Sequence, residues 1–272
     1  MSKIFEALQR SVSESTGDPL SEVSDIAEML NETQKTASLE ACSELVPNPA
    51  PESRVAAITE PGGIAAEKFR LLAVRLRNLR QRRELKRVLI TSALPDEGKS
   101  VVALNLACTL ARYKQLRVLL VEGDMRRPRI RTNLGLPAMK GLSEWLQSDI
   151  PISEVIYQIN SPGLSLWLLP AGGPLKDPVE LMQSGRLAAL MDRLAESFDW
   201  IIIDGTPILP VADTSVWARL SHGIIMIVRE AKSEKRQLQK AFDALDSTNL
   251  IGVVLNSSSN NEHKSYYTYY ST

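Results

Sequence analysis

The segment from Arg87 to Ala111 constrains the fold of this chain more than any other stretch. It begins with the apolar run Val88-Leu89-Ile90, rich in β-branched residues, which predicts a strand buried on both faces. From Ser100 onward, apolar residues recur at three- and four-residue spacing without Pro or Gly, which predicts a helix. A buried strand is thus followed closely by a helix.

The residues between this strand and helix form a phosphate-binding pattern. The segment from Ala93 to Ser100, ALPDEGKS, fits G-x-x-x-x-G-K-[ST] except that alanine replaces the first glycine. Phosphate binding needs backbone N–H groups at a helix N-terminus, a lysine and a hydroxyl group for Mg²⁺, and Gly98, Lys99 and Ser100 are of the required types. A plain surface turn is the alternative. The position between strand and helix favours nucleotide binding.

Acidic residues follow two more apolar strand patterns. The run Arg117 to Val121 leads into Glu122 and Asp124, and the run Trp200 to Ile203 ends at Asp204. The carboxyl ends of parallel strands form the edge of a sheet where ligands bind, and a carboxylate there can hold Mg²⁺ or its bound water. The alternative is that Asp204 has only a structural role, in a turn or as a helix cap.

The remaining pattern alternates between strands and helices. This predicts an α/β fold: a mostly parallel, P-loop NTPase-like sheet with helices on both faces. The further predicted helices are 65–83, 141–147, 151–158, 178–198 and 233–245, and the further predicted strands are 164–169, 223–228 and 251–255.

Four regions are predicted along the chain. Residues 1–12 form an amphipathic helix whose apolar side packs on its own domain, on a partner protein or on a membrane, and a partner is favoured. Residues 13–61 form an acidic, largely disordered linker. Residues 62–256 form the nucleotide-binding domain, and residues 257–272 form a flexible tyrosine-rich tail.

Charge and cysteine content limit the possible partners and compartments. Basic residues dominate from Glu67 to Arg87, which suits nucleic acid or anionic lipid. Their helical spacing with apolar residues such as Phe69 favours the exposed face of a packed helix, so we expect no nucleic acid partner. Cys42 and Cys108 cannot form a disulfide framework, and neither a signal peptide nor an apolar run of ~20 residues is found. We therefore expect a cytoplasmic protein.

The C-terminal region carries four of the six tyrosines of the chain. Without periodic apolar neighbours, this cluster is either a recognition segment or a set of modification sites, and sequence physics alone leaves both open. The cluster consists of Tyr266, Tyr267, Tyr269 and Tyr270.

Together these motifs resemble the bacterial tyrosine kinases of exopolysaccharide systems. Ser92 to Ser100 matches the family pattern S-x-x-P-x-E-G-K-S, Val118 to Pro128 approximates an apolar strand with D-x-D-x-R-R-P, and Ile201 to Pro207 matches a strand with D-x-x-P. The chain is most similar to the separate cytoplasmic kinases. The opening, Met1 to Leu8, is similar to members linked with exosortase gene clusters.

The resemblance implies a protein-tyrosine autokinase that uses ATP and Mg²⁺ and phosphorylates its tyrosine cluster in trans. Lys99 would contact the phosphates, Ser100, Asp124 and Asp204 would serve the metal, and Glu122 would receive the tyrosine proton. The implied nucleotide loop comprises Ala93, Leu94, Pro95, Asp96, Glu97, Gly98, Lys99, Ser100 and Val101. The implied partner is a membrane chain-length protein, or polysaccharide co-polymerase, whose cytoplasmic segment activates the kinase and recruits it to the inner face of the membrane. Self-association of the chain is also implied.

Two residues depart from the family pattern. Glu122 stands where the family usually has Asp, and displacement of a catalytic carboxylate by ~1 Å can cost ~100-fold in rate. In the self-association pattern E-x-x-R-x-x-R, Glu67 and Arg70 are present but Ala73 replaces the last Arg. These departures keep a second function open: an ATP-binding switch with weak transfer. A partitioning-type ATPase ranks third, because that class has a lysine where this chain has Leu94.

Overall fold

The computed structural model describes residues 42–230, 232, 234–245 and 249–257. The predicted helix at 1–12, most of the predicted linker and the tyrosine cluster lie outside these residues. Within the described ranges, no helix combines the length and apolar character needed to cross a membrane.

Eight strands of the described chain form a single sheet in the order β1-β4-β5-β3-β6-β2-β7-β8. Strands β4 and β5 pair antiparallel, and the other described pairs are parallel. The predicted α/β fold with a mostly parallel sheet is therefore confirmed. The strands are β1 (Ser43–Leu45), β2 (Arg87–Ser92), β3 (Val118–Glu122), β4 (Tyr157–Ser161), β5 (Leu164–Leu169), β6 (Trp200–Pro207), β7 (Gly223–Arg229) and β8 (Leu250–Asn256).

Nine α-helices occur in the described residues, with short 3₁₀ turns at Pro51–Ser53 and Ile152–Glu154. Several of them are single helical turns within loops and do not form part of the layers that cover the sheet. The helices are α1 (Ala56–Thr59), α2 (Ile64–Arg80), α3 (Lys99–Ala111), α4 (Ile130–Asn133), α5 (Leu142–Gln147), α6 (Val179–Gln183), α7 (Arg186–Ser197), α8 (Asp213–Arg219) and α9 (Lys235–Ala244).

The helix after the phosphate-binding pattern, α3, lies in the middle of the core. Every residue of α3 except Val101 is buried, because α1 and α2 pack on the side that does not contact the sheet. Strands β3 and β6 beside it are buried along their whole length. The start of α3 is therefore held firmly against the sheet edge.

The ordered domain begins earlier in the chain than the sequence predicts. The linker was expected to run to Pro61, but β1 already pairs with β4, and Val55 and Ala57 are buried. Asn105, on α3, fixes this segment: its Oδ1 accepts a hydrogen bond from the Ala57 N–H, and its Nδ2 donates to the carbonyl of Arg54. Part of residues 42–61 is thus ordered where the sequence predicts a linker, because a partner on a distant helix supplies hydrogen bonds that the local sequence does not indicate.

Two predicted helices also differ from the structure. The segment expected to be helical from 151 to 158 instead contains a 3₁₀ turn and the start of β4, whose hydrogen bonds come from β5. The helix expected at 178–198 is divided into α6 and α7 by Gly185, which has φ of +74°. This left-handed conformation ends one helix and begins the next.

The basic segment is the packed helix that the sequence predicts. Along α2, the Arg77 guanidinium stacks on Tyr113, Arg80 stacks on Trp200, and Arg70 pairs with Glu67. Ala73, by contrast, is fully buried. The position where the family pattern has its last arginine therefore faces the core of this chain.

We expect Ala73→Arg to lower the free energy of unfolding by about 3 kcal/mol or more, because the guanidinium would be buried without a partner. The neighbouring Val74→Arg is the matched control. Val74 is 44% exposed, so its substitution should change stability by no more than about 0.5 kcal/mol. Urea unfolding of both variants measures the difference, and equal stabilities would contradict the described packing of α2.

Candidate nucleotide site

A cavity of about 580 Å³ opens at the carboxyl ends of the central strands β2, β3 and β6. Seven of the nine predicted loop residues line it, and Ala93 and Leu94 do not. Asp124 also lines the cavity. The other lining residues are Arg54, Arg126, Arg127, Arg129, Asn133, Thr206, Pro207, Pro210, Val211, Arg229, Asn256 and Ser257.

The loop before α3 depends on a glycine at position 98. Gly98 has φ of +93°, and a Cβ atom there would lie 2.1 Å from Nδ2 of Asn256. Any side chain would therefore strain the backbone and collide with the end of β8. Asn256 Nδ2 also donates to the carbonyl of Glu97 at 2.8 Å, which joins the loop to β8.

Further contacts hold the loop in shape. Glu97 is fully buried, and its Oε2 accepts a hydrogen bond from the Leu94 N–H at 2.9 Å. The Lys232 ammonium donates to the carbonyl of Pro95 at 2.8 Å. The Ser92 hydroxyl donates to the Leu94 carbonyl at 2.7 Å. These contacts preorganise the loop without requiring a ligand.

Lys99 and Asp124 form a buried ion pair at the cavity wall. The Lys99 ammonium lies 2.8 Å from Asp124 Oδ2, while Asp124 Oδ1 accepts a hydrogen bond from the Arg127 N–H at 3.0 Å. Burial lowers the pKa of Lys99, but the charges of Asp204 and Asp124 outweigh this effect, so the pKa lies above its ordinary value. Lys99 is thus held charged at the start of α3, and the N-terminus of a helix is a position suited to an anion such as phosphate.

Asp204 is fully buried beneath the cavity, and neither of its carboxylate oxygens has a hydrogen-bond partner among the described residues. Burial raises the pKa of Asp204 to about 7, against the opposing effects of the Lys99 charge and the nearby Ser100 hydroxyl. A buried carboxylate without a partner costs free energy unless something binds it. Its oxygens and the Ser100 hydroxyl are the hard ligands that suit Mg²⁺ or a metal-bound water.

In the described ranges, no group of three or more His, Cys, Asp or Glu side chains could hold a metal ion by themselves. This fits Mg²⁺ in nucleotide sites, where one or two protein oxygens are completed by phosphates and water. The residues present are therefore compatible with a metal that arrives with its nucleotide.

Glu122 lies away from the cavity wall. It pairs with Asp204 in the register of β3 and β6 and is 1% exposed. Its Oε1 accepts a hydrogen bond from the Ile130 N–H at 2.5 Å, and its Oε2 accepts one from the Ala171 N–H at 3.0 Å. Burial raises the pKa of Glu122, and these hydrogen bonds partly oppose the increase.

The sequence reasoning missed the arginines around the cavity. Arg127 belongs to the second motif, Arg129 lies just after it, and Arg54 lies in the segment predicted to be a linker. Arg126 has a different role: it makes a bidentate ion pair with the buried Asp213, at 2.9 and 3.0 Å, and donates to the carbonyl of Lys176. The excess of arginine gives the cavity a positive lining suited to phosphate.

Comparison with known proteins agrees with this geometry. Residues 88–271 match the CobQ/CobB/MinD/ParA nucleotide binding domain family. The chain is 32% identical over 223 residues to tyrosine-protein kinase YwqD of Bacillus subtilis, an alignment that covers 81% of this chain and 92% of that protein. The chain belongs to the bacterial tyrosine-protein kinase family.

Two other comparisons support the assignment. The chain is 32% identical over 215 residues to the putative tyrosine-protein kinase CapB of Staphylococcus aureus, covering 78% of this chain and 92% of that protein. The crystal structure of the chimerical protein CapA2B2 superimposes with a TM-score of 0.70 at 27% identity, covering 84% of this chain and all of that one. The resemblance seen in the sequence is thus confirmed, and with it an α/β nucleotide-binding domain.

Asp204 predicts a pH dependence of stability. The folded protein keeps the Asp204 proton up to a pH of about 7, whereas the unfolded chain loses it near pH 4, so stability should fall as the pH rises between these values. Asp204→Asn should therefore stabilise the nucleotide-free protein, by roughly 2–3 kcal/mol more at pH 8 than at pH 5. Urea unfolding at both pH values measures this. The exposed Asp149→Asn is the control, and an equal effect of Asp204→Asn at both pH values would contradict the assignment.

Proposed function

We propose that this chain is an ATP-dependent protein-tyrosine autokinase that phosphorylates its own C-terminal tyrosine cluster in trans. The observation that carries the proposal is the Lys99–Asp124 ion pair at the start of a buried helix, together with the buried Asp204 carboxylate, whose oxygens accept no hydrogen bond of ordinary geometry among the described residues. These groups supply a cation for phosphate and free oxygens for a metal.

Different residues would bind the phosphates and the metal. Backbone N–H groups of the loop and the Lys99 ammonium would bind the phosphates of ATP. Ser100, Asp124 and Asp204 would hold Mg²⁺, which supplies charge neutralisation of the phosphates when bound. Phosphoryl transfer needs mainly such positioning and charge compensation. The buried, preorganised loop provides positioning and charge compensation at little cost in conformational entropy.

The phosphate acceptors would be Tyr266, Tyr267, Tyr269 and Tyr270, which lie outside the described residues. Each phosphorylation adds ~1.5–2 negative charges, enough to change how the tail contacts a neighbouring subunit or a partner. The named relatives include a succinoglycan biosynthesis transport protein of Rhizobium meliloti. This supports a role in controlling exopolysaccharide polymerisation or export together with a membrane co-polymerase that recruits and activates the kinase.

A second function follows from the position of Glu122. The predicted proton acceptor accepts hydrogen bonds from two backbone N–H groups and does not line the cavity. A chain that binds ATP without an efficient proton acceptor would act as a nucleotide-dependent switch on its membrane partner. This alternative keeps the nucleotide site and loses only the transfer step.

We expect Lys99→Ala to abolish ATP binding and all tyrosine phosphorylation, because it removes the phosphate cation and leaves Asp124 buried without its partner. The measurements are calorimetry with Mg²⁺·ATP and tandem mass spectrometry after incubation. The exposed lysine substitution Lys114→Ala is the matched control.

The outcomes separate the two functions. Lys99-dependent phosphate on Tyr266 to Tyr270 establishes the autokinase, and loss of nearly all phosphotyrosine on deletion of these residues supports it. Unchanged ATP affinity in Lys99→Ala contradicts the nucleotide site. Persistent phosphate on Tyr113 or Tyr157 after the deletion contradicts the tail as acceptor, and ATP binding without phosphate favours the switch.

A further inference from the structure

Glu122 connects two segments that are distant in sequence. Its carboxylate accepts hydrogen bonds from the N–H of Ile130, where α4 begins, and from the N–H of Ala171, which follows β5. The Ala171 segment is held on its other side by Glu144, which accepts hydrogen bonds from the N–H groups of Gly141 and Gly173. Glu122 therefore sits in a network of backbone contacts, not in the space open to an acceptor.

The loop between β3 and α4 is fastened at two points by the two acidic residues at the end of β3. Asp124 binds the Arg127 N–H, and Glu122 binds the Ile130 N–H. Between these points the chain presents the side chains of Arg127 and Arg129. Both side chains are exposed and line the cavity, and neither guanidinium has a hydrogen-bond or ion-pair partner in the described part of the chain.

Arg126 of the same loop provides a contrast. Its guanidinium is occupied by Asp213, Asp177 and the carbonyl of Lys176, so it anchors the loop to α8. Arg127 and Arg129 are free to bind an anion, and planar guanidinium groups match the oxygens of phosphate. Lys99 already has Asp124 as its counterion. The two arginines are thus the uncompensated cations of this loop.

We propose that Glu122 is a positioning residue, whose carboxylate fixes the loop that presents Arg127 and Arg129 to the phosphates of the nucleotide, and that it does not receive the tyrosine proton. The inference rests on the proposed function only in taking the cavity as a nucleotide site. It also explains the length of the side chain. Aspartate is one methylene shorter and cannot keep both hydrogen bonds without movement of the backbone.

The two roles of Glu122 predict opposite results for Glu122→Asp. A proton acceptor displaced by its extra methylene would work better as aspartate, with unchanged affinity for ATP. If Glu122 is a positioning residue, Glu122→Asp should lower the affinity for ATP, because the loop and its arginines would shift. Glu122→Gln keeps the length of the side chain but directs an N–H₂ group towards one backbone N–H. It should therefore also weaken the binding of ATP.

A double-mutant cycle on the full chain tests the inference. Glu122→Asp and Arg129→Gln should each weaken the binding of Mg²⁺·ATP about tenfold in calorimetry. The double variant should also bind Mg²⁺·ATP no more than about tenfold more weakly than the wild type, because both substitutions remove the same contact. A double variant weakened about a hundredfold would mean independent residues and would overturn the inference, as would an unchanged affinity in Glu122→Asp.

Amide hydrogen exchange gives a readout that does not depend on activity. Glu122→Gln should accelerate exchange in peptides containing Ile130 and Ala171, the two amides bound by the carboxylate, and unchanged exchange in both would contradict the proposal. The exposed Glu196→Gln is the control and should change neither exchange in these peptides nor ATP affinity.

The failures are distinguishable. If the wild type binds Mg²⁺·ATP but phosphorylates no tyrosine, the autokinase proposal fails, while the binding cycle still decides the role of Glu122. If the wild type does not bind Mg²⁺·ATP, the nucleotide site is wrong and the inference fails with it.

Discussion

The structure of this protein depends on how it compensates buried acidic groups at one edge of its sheet. Glu122 is the last residue of β3, Asp124 follows two residues later, and Asp204 lies opposite Glu122 within the neighbouring strand β6. All three are almost completely buried. An uncompensated buried carboxylate is costly, so each needs a cation, a hydrogen-bond donor or a proton. The charge of Lys99 acts on all three.

The three acids differ in the groups that surround their carboxylates. Asp124 has the Lys99 ammonium and one backbone N–H, Glu122 has two backbone N–H groups, and Asp204 has no hydrogen-bond partner in the described residues. The contacts of Asp124 and Glu122 order the loops around the cavity. The third acid, Asp204, leaves an unsatisfied group, and such groups in a buried site are where a ligand or metal gains most from binding.

Much of this arrangement could be predicted from local sequence. The strand and helix on either side of the phosphate loop have strong apolar patterns, and acidic residues at strand ends indicate a ligand edge in any parallel sheet. The family was visible for the same reason, since its motifs are contiguous. What the local sequence could not indicate was the role of Glu122, because its partners, Ile130 and Ala171, are 8 and 49 residues away.

The same limit explains the errors in the fold. Residues 42–61 look like a polar linker, yet contacts with Asn105 and pairing with strand β4 order part of them. The predicted helix at 151–158 includes the first two residues of β4, because a strand depends on pairing with a neighbour such as β5, which the local sequence does not show.

The sequence by itself determined the α/β class, the nucleotide loop and the family, because these depend on apolar periodicity and on short motifs whose geometry is local. Only the tertiary structure decided which acidic groups face the cavity, which arginines remain unpaired and where the domain begins. These properties depend on burial and on donors brought from distant segments, and the free energy of a buried charge is set by its surroundings rather than by its own residue type.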